Sequence, residues 1–400
     1  MNIFKKAYCR VFQGVFRIAL PILPYRQPKI LKENKDVVSI LKQKSIQKVL
    51  LVTDKSIRGL GLTKSLEDEL IEGELQIFVY DDVVPNPTTD NVAEALKIFK
   101  ENNCQAIIAF GGGSVMDCAK AAGALAVYPK KTLGDLKGVL KVRRKIPFLI
   151  AVPTTAGTGS ETTLAAVITD SQTRHKYAIN SFPLIPSVAL LDAKLTVGLP
   201  KHITSTTGMD ALTHAIEAYI GRSSTKETRK YALLAIKDIL TYLPVAYNDG
   251  KNLEAREKLL IAAYNAGVAF TQSYVGYVHA IAHSLGGKYN IAHGYANAVI
   301  LPYVLKAFGR KIYKKLWKIG LFAGLFDKNT SKEDGAKILI EKIEEMNSQM
   351  NIPSKIKEIK NEDIAQLAKI AEKEANPLYP VPVLFTAKQL EKIYFEIKEV

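Results

Sequence analysis

Four of the chain's six histidines fall into two short stretches that could carry metal chemistry. His279, His283 and His293 lie within fifteen residues of one another, and His214 stands earlier in the chain beside Asp210. Asp210 and His214 are four positions apart, so a helix places both on one face. His279 and His283 have the same spacing, and Gly286-Gly287 then predicts a helix end and a turn that returns His293 to them. Three neutral imidazoles and one carboxylate form a four-ligand set for Zn2+ or Fe2+, with space for a substrate oxygen where the geometry is open. A lone histidine is more often a core or surface imidazole. Four at these spacings favour a metal, although the spacing does not decide which imidazole stands aside.

A second group of residues suits a dinucleotide. Gly111-Gly112-Gly113-Ser114 follows the apolar run Ala106 to Phe110 and opens a helical pattern, so that backbone N–H groups at a helix start can face a pyrophosphate. Ser114 suits the N-cap, with Asp117 three residues on in capping-box register. The segment Pro153 to Glu161, rich in hydroxyls and glycine, again follows a strand-like run, and two such loops at strand ends define a nucleotide-binding crevice. The common G-x-G-x-x-G fingerprint is absent, which makes this a variant site. Asp54 ends the run Val49 to Thr53, where a carboxylate accepts from a ribose 2′-OH and repels a 2′-phosphate; a helix cap is the competing reading.

The elements that position these residues change character along the chain. From about Gln47 to Asp192, strand-length apolar runs alternate with helical patterns: Lys48 to Thr53, Gln76 to Tyr80, Ala106 to Phe110, Phe148 to Val152 and Val188 to Leu191. Strands buried on both faces read this way, which implies a mostly parallel α/β sheet of Rossmann-like type. From Thr204 onward the period is 3.6 residues, as in Met209 to Ile220, Tyr231 to Leu243, Ala255 to Phe270 and Ala336 to Met346, which implies an all-α domain. The expected division is residues 1–198 for the dinucleotide-binding domain, with 1–40 an N-terminal extension packed on it, and 199–400 for a helical metal-binding and catalytic domain.

With 400 residues and a 48% hydrophobic fraction the chain can fill two cores. The charge of +16, from 55 basic and 39 acidic residues, is spread over helix faces and forms no nucleic-acid-binding arm. Cys9, Cys104 and Cys118 are odd in number and lack paired ligand spacing, which fits a reducing, cytoplasmic setting. The basic, apolar stretch Met1 to Arg26 is interrupted by Gln13 and Arg17, so it reads as an amphipathic packing helix. It is neither a signal nor a stably inserted span, and a membrane-surface role is the minor alternative.

Gly208 to Tyr219 and Gly276 to Gly287 resemble the iron-containing alcohol dehydrogenases, a likeness extended by Val84-Pro85-Asn86-Pro87-Thr88, the glycine loop, the Thr/Gly/Ser loop and Leu301-Pro302. The resemblance implies a dehydroquinate synthase-like architecture and metal ligands Asp210, His214, His279 and His293, with His283 near the reaction centre and not a ligand. It places Asp54 and Asn86 at the adenosine side of NAD, Gly112, Gly113, Ser114 and Asp117 at the pyrophosphate, Thr154, Thr155 and Thr158 nearby, and Lys176 at the nicotinamide ribose. The family commonly has Pro-His-Gly where this chain has Ala292-His293-Gly294, a change that relaxes a turn and removes no ligand.

These residues imply that a divalent ion, Fe2+ by family and Zn2+ by ligand type, polarises the oxygen of a small alcohol or aldehyde while hydride passes to or from NAD. His283 would relay the proton. Phe270 and Ala165 are candidate pocket walls, and a homodimer is the expected assembly. The rivals are a glycerol or polyol dehydrogenase, a dehydroquinate-synthase-like lyase, whose anionic substrate would call for basic side chains that these apolar motifs lack, and a non-catalytic nucleotide-binding protein.

Overall fold

The computed structural model describes residues 3–399. They divide into two units, Pro24–Val197 in one, and the residues up to Leu23 together with those from Gly198 onward in the other.

The first unit is built on a six-stranded parallel sheet. Its strands are β1 (Lys29–Leu31), β2 (Lys48–Val52), β3 (Gln76–Tyr80), β4 (Ala106–Gly111), β6 (Phe148–Pro153) and β9 (Val188–Leu190), in the order β1-β9-β6-β4-β2-β3. A smaller three-stranded sheet contains β5 (Gly138–Val139), β7 (Ala165–Thr169) and β8 (Lys176–Asn180). The continuous apolar runs are explained by burial on both faces: Leu50, Val52, Ile107 and Ala109 enter one core, and Val49, Leu51, Ala106 and Ile108 the other. From β2 the chain steps outward to β3, then returns through β4 to build the opposite side. The order therefore reverses between β2 and β4, and ligands of such sheets bind beyond the strand ends at that point. Asp54 follows β2 there, and Gly112-Gly113 follow β4, which ends at Gly111.

The second unit is helical, and its centre is the helix Lys201–Ile220. From Gly208 to Ile220 every residue of it is buried, so it is packed on all sides. Helices Lys226–Asn248, Leu253–Ser273, Tyr277–Tyr289 and His293–Phe308 are among those that complete the unit.

Three local expectations are corrected. The helix carrying His279 runs through Gly286-Gly287 and ends at Asn290, whose left-handed backbone (φ 55°) closes it; the helix tolerates both glycines because tertiary packing outweighs their propensity. Ser114 is not the N-cap of its helix: Gly112 is, with no side-chain cap, so no capping box with Asp117 forms. Residues 1–40 do not pack as one extension on the α/β unit. Lys29–Leu31 join the sheet, whereas the helix Ile3–Ala19 belongs with the helical unit, where Arg10 donates to the carbonyls of Val381 (2.8 Å) and Pro382 (3.0 Å) and Gln13 to that of Tyr379 (2.7 Å).

Candidate metal centre and dinucleotide loops

Asp210 and His214 project from one face of the central helix, His279 stands in the first turn of Tyr277–Tyr289, and His293 is the first residue of His293–Phe308. One ligand atom from each of these four residues lies within 4.8 Å of the other three. Asp210 Oδ1 is 3.6 Å from His293 Nε2, 3.9 Å from His279 Nε2 and 4.0 Å from His214 Nε2. His279 Nδ1 donates to Glu217 Oε2 at 2.7 Å, which fixes the tautomer and turns the lone pair of Nε2 toward the cluster. Glu217 also accepts from the backbone N–H groups of Gly276 (2.7 Å) and Val278 (2.9 Å), so it caps the start of the His279 helix. Only glycine allows this approach, since a Cβ at Gly276 would meet Glu217 Oε1 at 2.6 Å. Gly294 has the same role on the other side, where a Cβ would meet the Thr206 carbonyl oxygen at 2.5 Å.

Burial lowers the pKa of His279 well below its ordinary value, helped by the neighbouring imidazoles, and burial also takes His293 down to about 4 against the pull of Asp210. Both rings are therefore neutral ligands at physiological pH. Asn297 Nδ2 donates to Asp210 Oδ1 (2.7 Å) and lies 3.1 and 3.2 Å from the Nε2 atoms of His293 and His279, while its buried Oδ1 has no hydrogen-bond partner among the described residues. Two amide N–H groups cannot fully serve three acceptors. The donor set fits a divalent cation, which would satisfy all of them at once.

His283 stands beside this set, its ring 5.1 Å from that of His293. Its side chain is 44% exposed, and Nδ1 pairs with Glu374 Oε1 at 2.6 Å. Desolvation opposes charge on this ring, but the charge and hydrogen bond of Glu374 overcome it and raise the pKa. Tyr379 Oη donates to the same carboxylate oxygen at 2.7 Å. Phe270 stacks on His214 with centroids 4.1 Å apart, so it buttresses a ligand ring.

In the α/β unit, β4 and β6 pair in register up to Gly111 and Pro153, which sets the two loops side by side. A Cβ at Gly113 would lie 3.1 Å from Thr158 Cγ2, and one at Gly112 would lie 3.8 Å from Thr155 Oγ1, while the Thr154 N–H donates to the Gly111 carbonyl. Asn86 joins the same locality: its N–H donates to Ser114 Oγ (3.3 Å) and its Oδ1 accepts from Lys176 Nζ (2.7 Å). Asp54 is an N-cap, with Oδ1 accepting from the Ile57 N–H at 3.0 Å. Asp117 is engaged by protein on both oxygens, from Ser160 Oγ (3.2 Å) and the Val167 N–H (3.1 Å), and so braces the Thr/Gly/Ser loop.

Residues 28–193 match the family model for iron-containing alcohol dehydrogenases, and residues 204–397 match the C-terminal model of the same family. The chain belongs to the iron-containing alcohol dehydrogenase family. It is 39% identical over 378 residues to alcohol dehydrogenase 4 of Saccharomyces cerevisiae, covering 94% of this chain and 96% of the yeast protein. A 1,3-propanediol oxidoreductase structure superposes with a TM-score of 0.89 at 34% identity, over 93% of this chain and 98% of the other. Sulfoacetaldehyde reductase from Bifidobacterium kashiwanohense, solved in complex with NAD+, gives 0.84 at 29% identity over 94% and 98%. The activity is NAD-dependent interconversion of alcohols and aldehydes.

Several residues of this iron-containing alcohol dehydrogenase escape a reading by motif. Lys120, fully buried, donates from Nζ to the Ser160 carbonyl (2.7 Å), Ser160 Oγ (3.0 Å), Thr163 Oγ1 (2.8 Å) and the Ala165 carbonyl (3.0 Å). Burial lowers its pKa to about 8 against the attraction of Asp117 and Glu161. The same burial raises Asp117 to about 6 and Glu161 to about 7. Ala165, expected at a pocket wall, thus supplies a carbonyl to this brace. For Lys120 the only signal was its position three residues after Asp117, on the same face of the helix. Glu217 and Glu374 carried none, because their meaning depends on which histidine they meet.

Proposed function

We propose that the enzyme binds one Fe2+ ion through Asp210, His214, His279 and His293, and interconverts a small primary or secondary alcohol and its aldehyde or ketone with NAD(H). The observation that carries this reading is the convergence of four neutral or anionic donors, one of them locked in tautomer by Glu217. Zn2+ suits the same donors, and availability decides between them. When bound, the ion supplies Lewis-acid polarisation of the substrate oxygen.

The chain's own residues supply the rest. His283, held at Nδ1 by Glu374, presents Nε2 to take a proton from the alcohol or return one to the product, and its half-exposed ring gives that proton a route to water. The uncapped helix start at Gly112–Ser114 would hold the pyrophosphate by N–H groups and dipole, with Thr154, Thr155 and Thr158 alongside. Lys176 would orient the nicotinamide ribose, and Asn86, expected at the adenosine side, would act with it, since the two are hydrogen-bonded at 2.7 Å. Asp54 would accept from the adenosine ribose with the oxygen not used by Ile57, favouring NAD over NADP. Asp117, whose two oxygens accept from Ser160 and Val167, would serve the pyrophosphate site by holding the loop beside it.

We also infer a cytoplasmic location, which the three buried, unpaired cysteines support, and a homodimer as the assembly. Metal-free protein reconstituted separately with Fe2+ and Zn2+ tests the main reading, through NADH and NADPH oxidation with short-chain aldehydes. Metal-dependent turnover that His279→Ala abolishes, and a preference for NADH that Asp54→Gly relaxes, are the expected results. Turnover indifferent to metal or to His279 would sink the assignment.

A further inference from the structure

The helix Ile3–Ala19 has its apolar face turned outward. Ile3, Phe4, Tyr8, Val11, Val15 and Ile18 are each 60–81% exposed, whereas Cys9 and Gln13 are buried against the helical unit. At 100° per residue the exposed group forms one continuous stripe along the whole helix. Water is a poor neighbour for such a stripe, and monomeric proteins rarely leave a contiguous one uncovered. The helix lies outside both stretches matched to the family.

Its charges indicate what covers it. Lys5, Lys6, Arg10 and Arg17 are the ionisable groups of the helix apart from Tyr8 and Cys9, and there is no acidic residue in it. Lys5, 3.0 Å from Glu372, flanks one edge of the stripe, and exposed Lys6 and Arg17 lie beyond the other. Arg10 is committed to carbonyls of Val381 and Pro382 and fixes the helix with its stripe outward. An apolar stripe edged by cations, with aromatic Phe4 and Tyr8 on it, matches an anionic lipid surface, where the rings enter the headgroup region and the cations meet phosphates. A second copy fits less well. A helix of 17 residues is about 25 Å long, and a stripe about 10 Å wide on it offers roughly 250 Å², well under the roughly 800 Å² per partner of a stable interface. Pairing this helix with its own copy would also bring like charges together.

We propose that the helix Ile3–Ala19 docks the enzyme peripherally on membranes rich in anionic lipid, lying in the interface plane. No helix among the described residues is long and apolar enough to cross a bilayer, in keeping with attachment to one leaflet. The proposal is independent of the metal and cofactor assignments.

Flotation of the full-length protein with vesicles of phosphatidylcholine alone, and of phosphatidylcholine with roughly one third phosphatidylglycerol, tests it. Since each basic residue near such a surface adds about 1 kcal/mol, binding to the anionic vesicles is expected to be at least about tenfold tighter and to weaken with salt. Val11→Glu with Val15→Glu should abolish flotation and leave turnover in solution unchanged, since both side chains are exposed. Lys6→Glu with Arg17→Glu should remove the preference for anionic lipid. Absence of flotation, equal flotation with both vesicles, or a Val11→Glu, Val15→Glu variant whose only change is a smaller assembly in sedimentation would each overturn the proposal, the last in favour of a protein interface.

Discussion

Glu217 shows how one side chain can govern a ligand without being one. Burial raises its pKa to about 7, opposed by the N–H groups of Gly276, Val278 and His279 that it accepts from. Glu217→Gln substitutes an N–H donor for one of those acceptors and weakens the hold on the His279 tautomer. We expect metal affinity to fall by about 10- to 100-fold, together with a loss of roughly 1–3 kcal/mol of stability from the unpaired backbone N–H. Competition with a metal-binding dye reads the first and chemical denaturation the second. Unaltered metal affinity would show that His279 keeps its orientation without the carboxylate. His283 and Glu374 form a parallel pair at a half-exposed position, which suits proton exchange where the buried His279–Glu217 pair suits fixed ligation.

At the scale of elements, the brace between the helix Gly113–Ala126 and the loop 158–165 has a predictable pH signature. Lys120 is the buried cation that offsets Asp117 and Glu161, so Lys120→Met leaves two buried carboxyls uncompensated, a change that costs about 3–5 kcal/mol where they are ionised. Their folded pKa values, already raised to about 6 and about 7, would rise further. A raised carboxyl pKa favours the folded state below the unfolded value and loses that contribution as pH climbs through the folded value. Denaturation at pH 5 and pH 8 should therefore show the variant's deficit widening with pH, and a deficit constant across that range would refute the brace as described. Much of this level was legible in the sequence: β2, β4 and β6 start where the apolar runs do, because burial on both sheet faces demands unbroken hydrophobicity, and the partly exposed edge strand β3 also starts with its run. The small sheet of β5, β7 and β8 was not: β5 has two residues, β8 alternates buried with more exposed positions, and the apolar run of β7 is short and leaves Val167 exposed.

For the whole molecule, the proposed sites put the metal and NAD on different units, which should then respond to them separately. An ion bound by the folded helical unit stabilises it by about 2.7 kcal/mol when present at a hundred times its Kd. Hydrogen exchange should thus accelerate on chelation in Lys201–Ile220 and Tyr277–Phe308, with little change in Ala106–Pro153, while NAD should protect the latter. Acceleration spread evenly over both units would contradict the assignment of the metal to one of them. The formal net charge of +16 is likewise a property of the molecule as a whole, and it would lend the outward stripe of the N-terminal helix a long-range attraction to anionic surfaces.

The sequence by itself determined the parallel sheet, the helical second half, the donor types for a metal and the paired loops for a dinucleotide. Each of these rests on periodicity or on residue spacing within a single element, and local backbone geometry converts spacing into shape. Only the tertiary structure decided which groups from different elements meet: Glu217 on His279, Glu374 on His283, Lys120 under the Thr/Gly/Ser loop, and Asp117 engaged by protein. It also decided which face of the N-terminal helix is buried. The apolar stripe of that helix predicted packing, yet the hydrogen bonds of Arg10 and Gln13 to the 377–382 segment hold the opposite face down. Amphipathicity fixes that a helix has two faces, and the contacts available around it determine which one meets water.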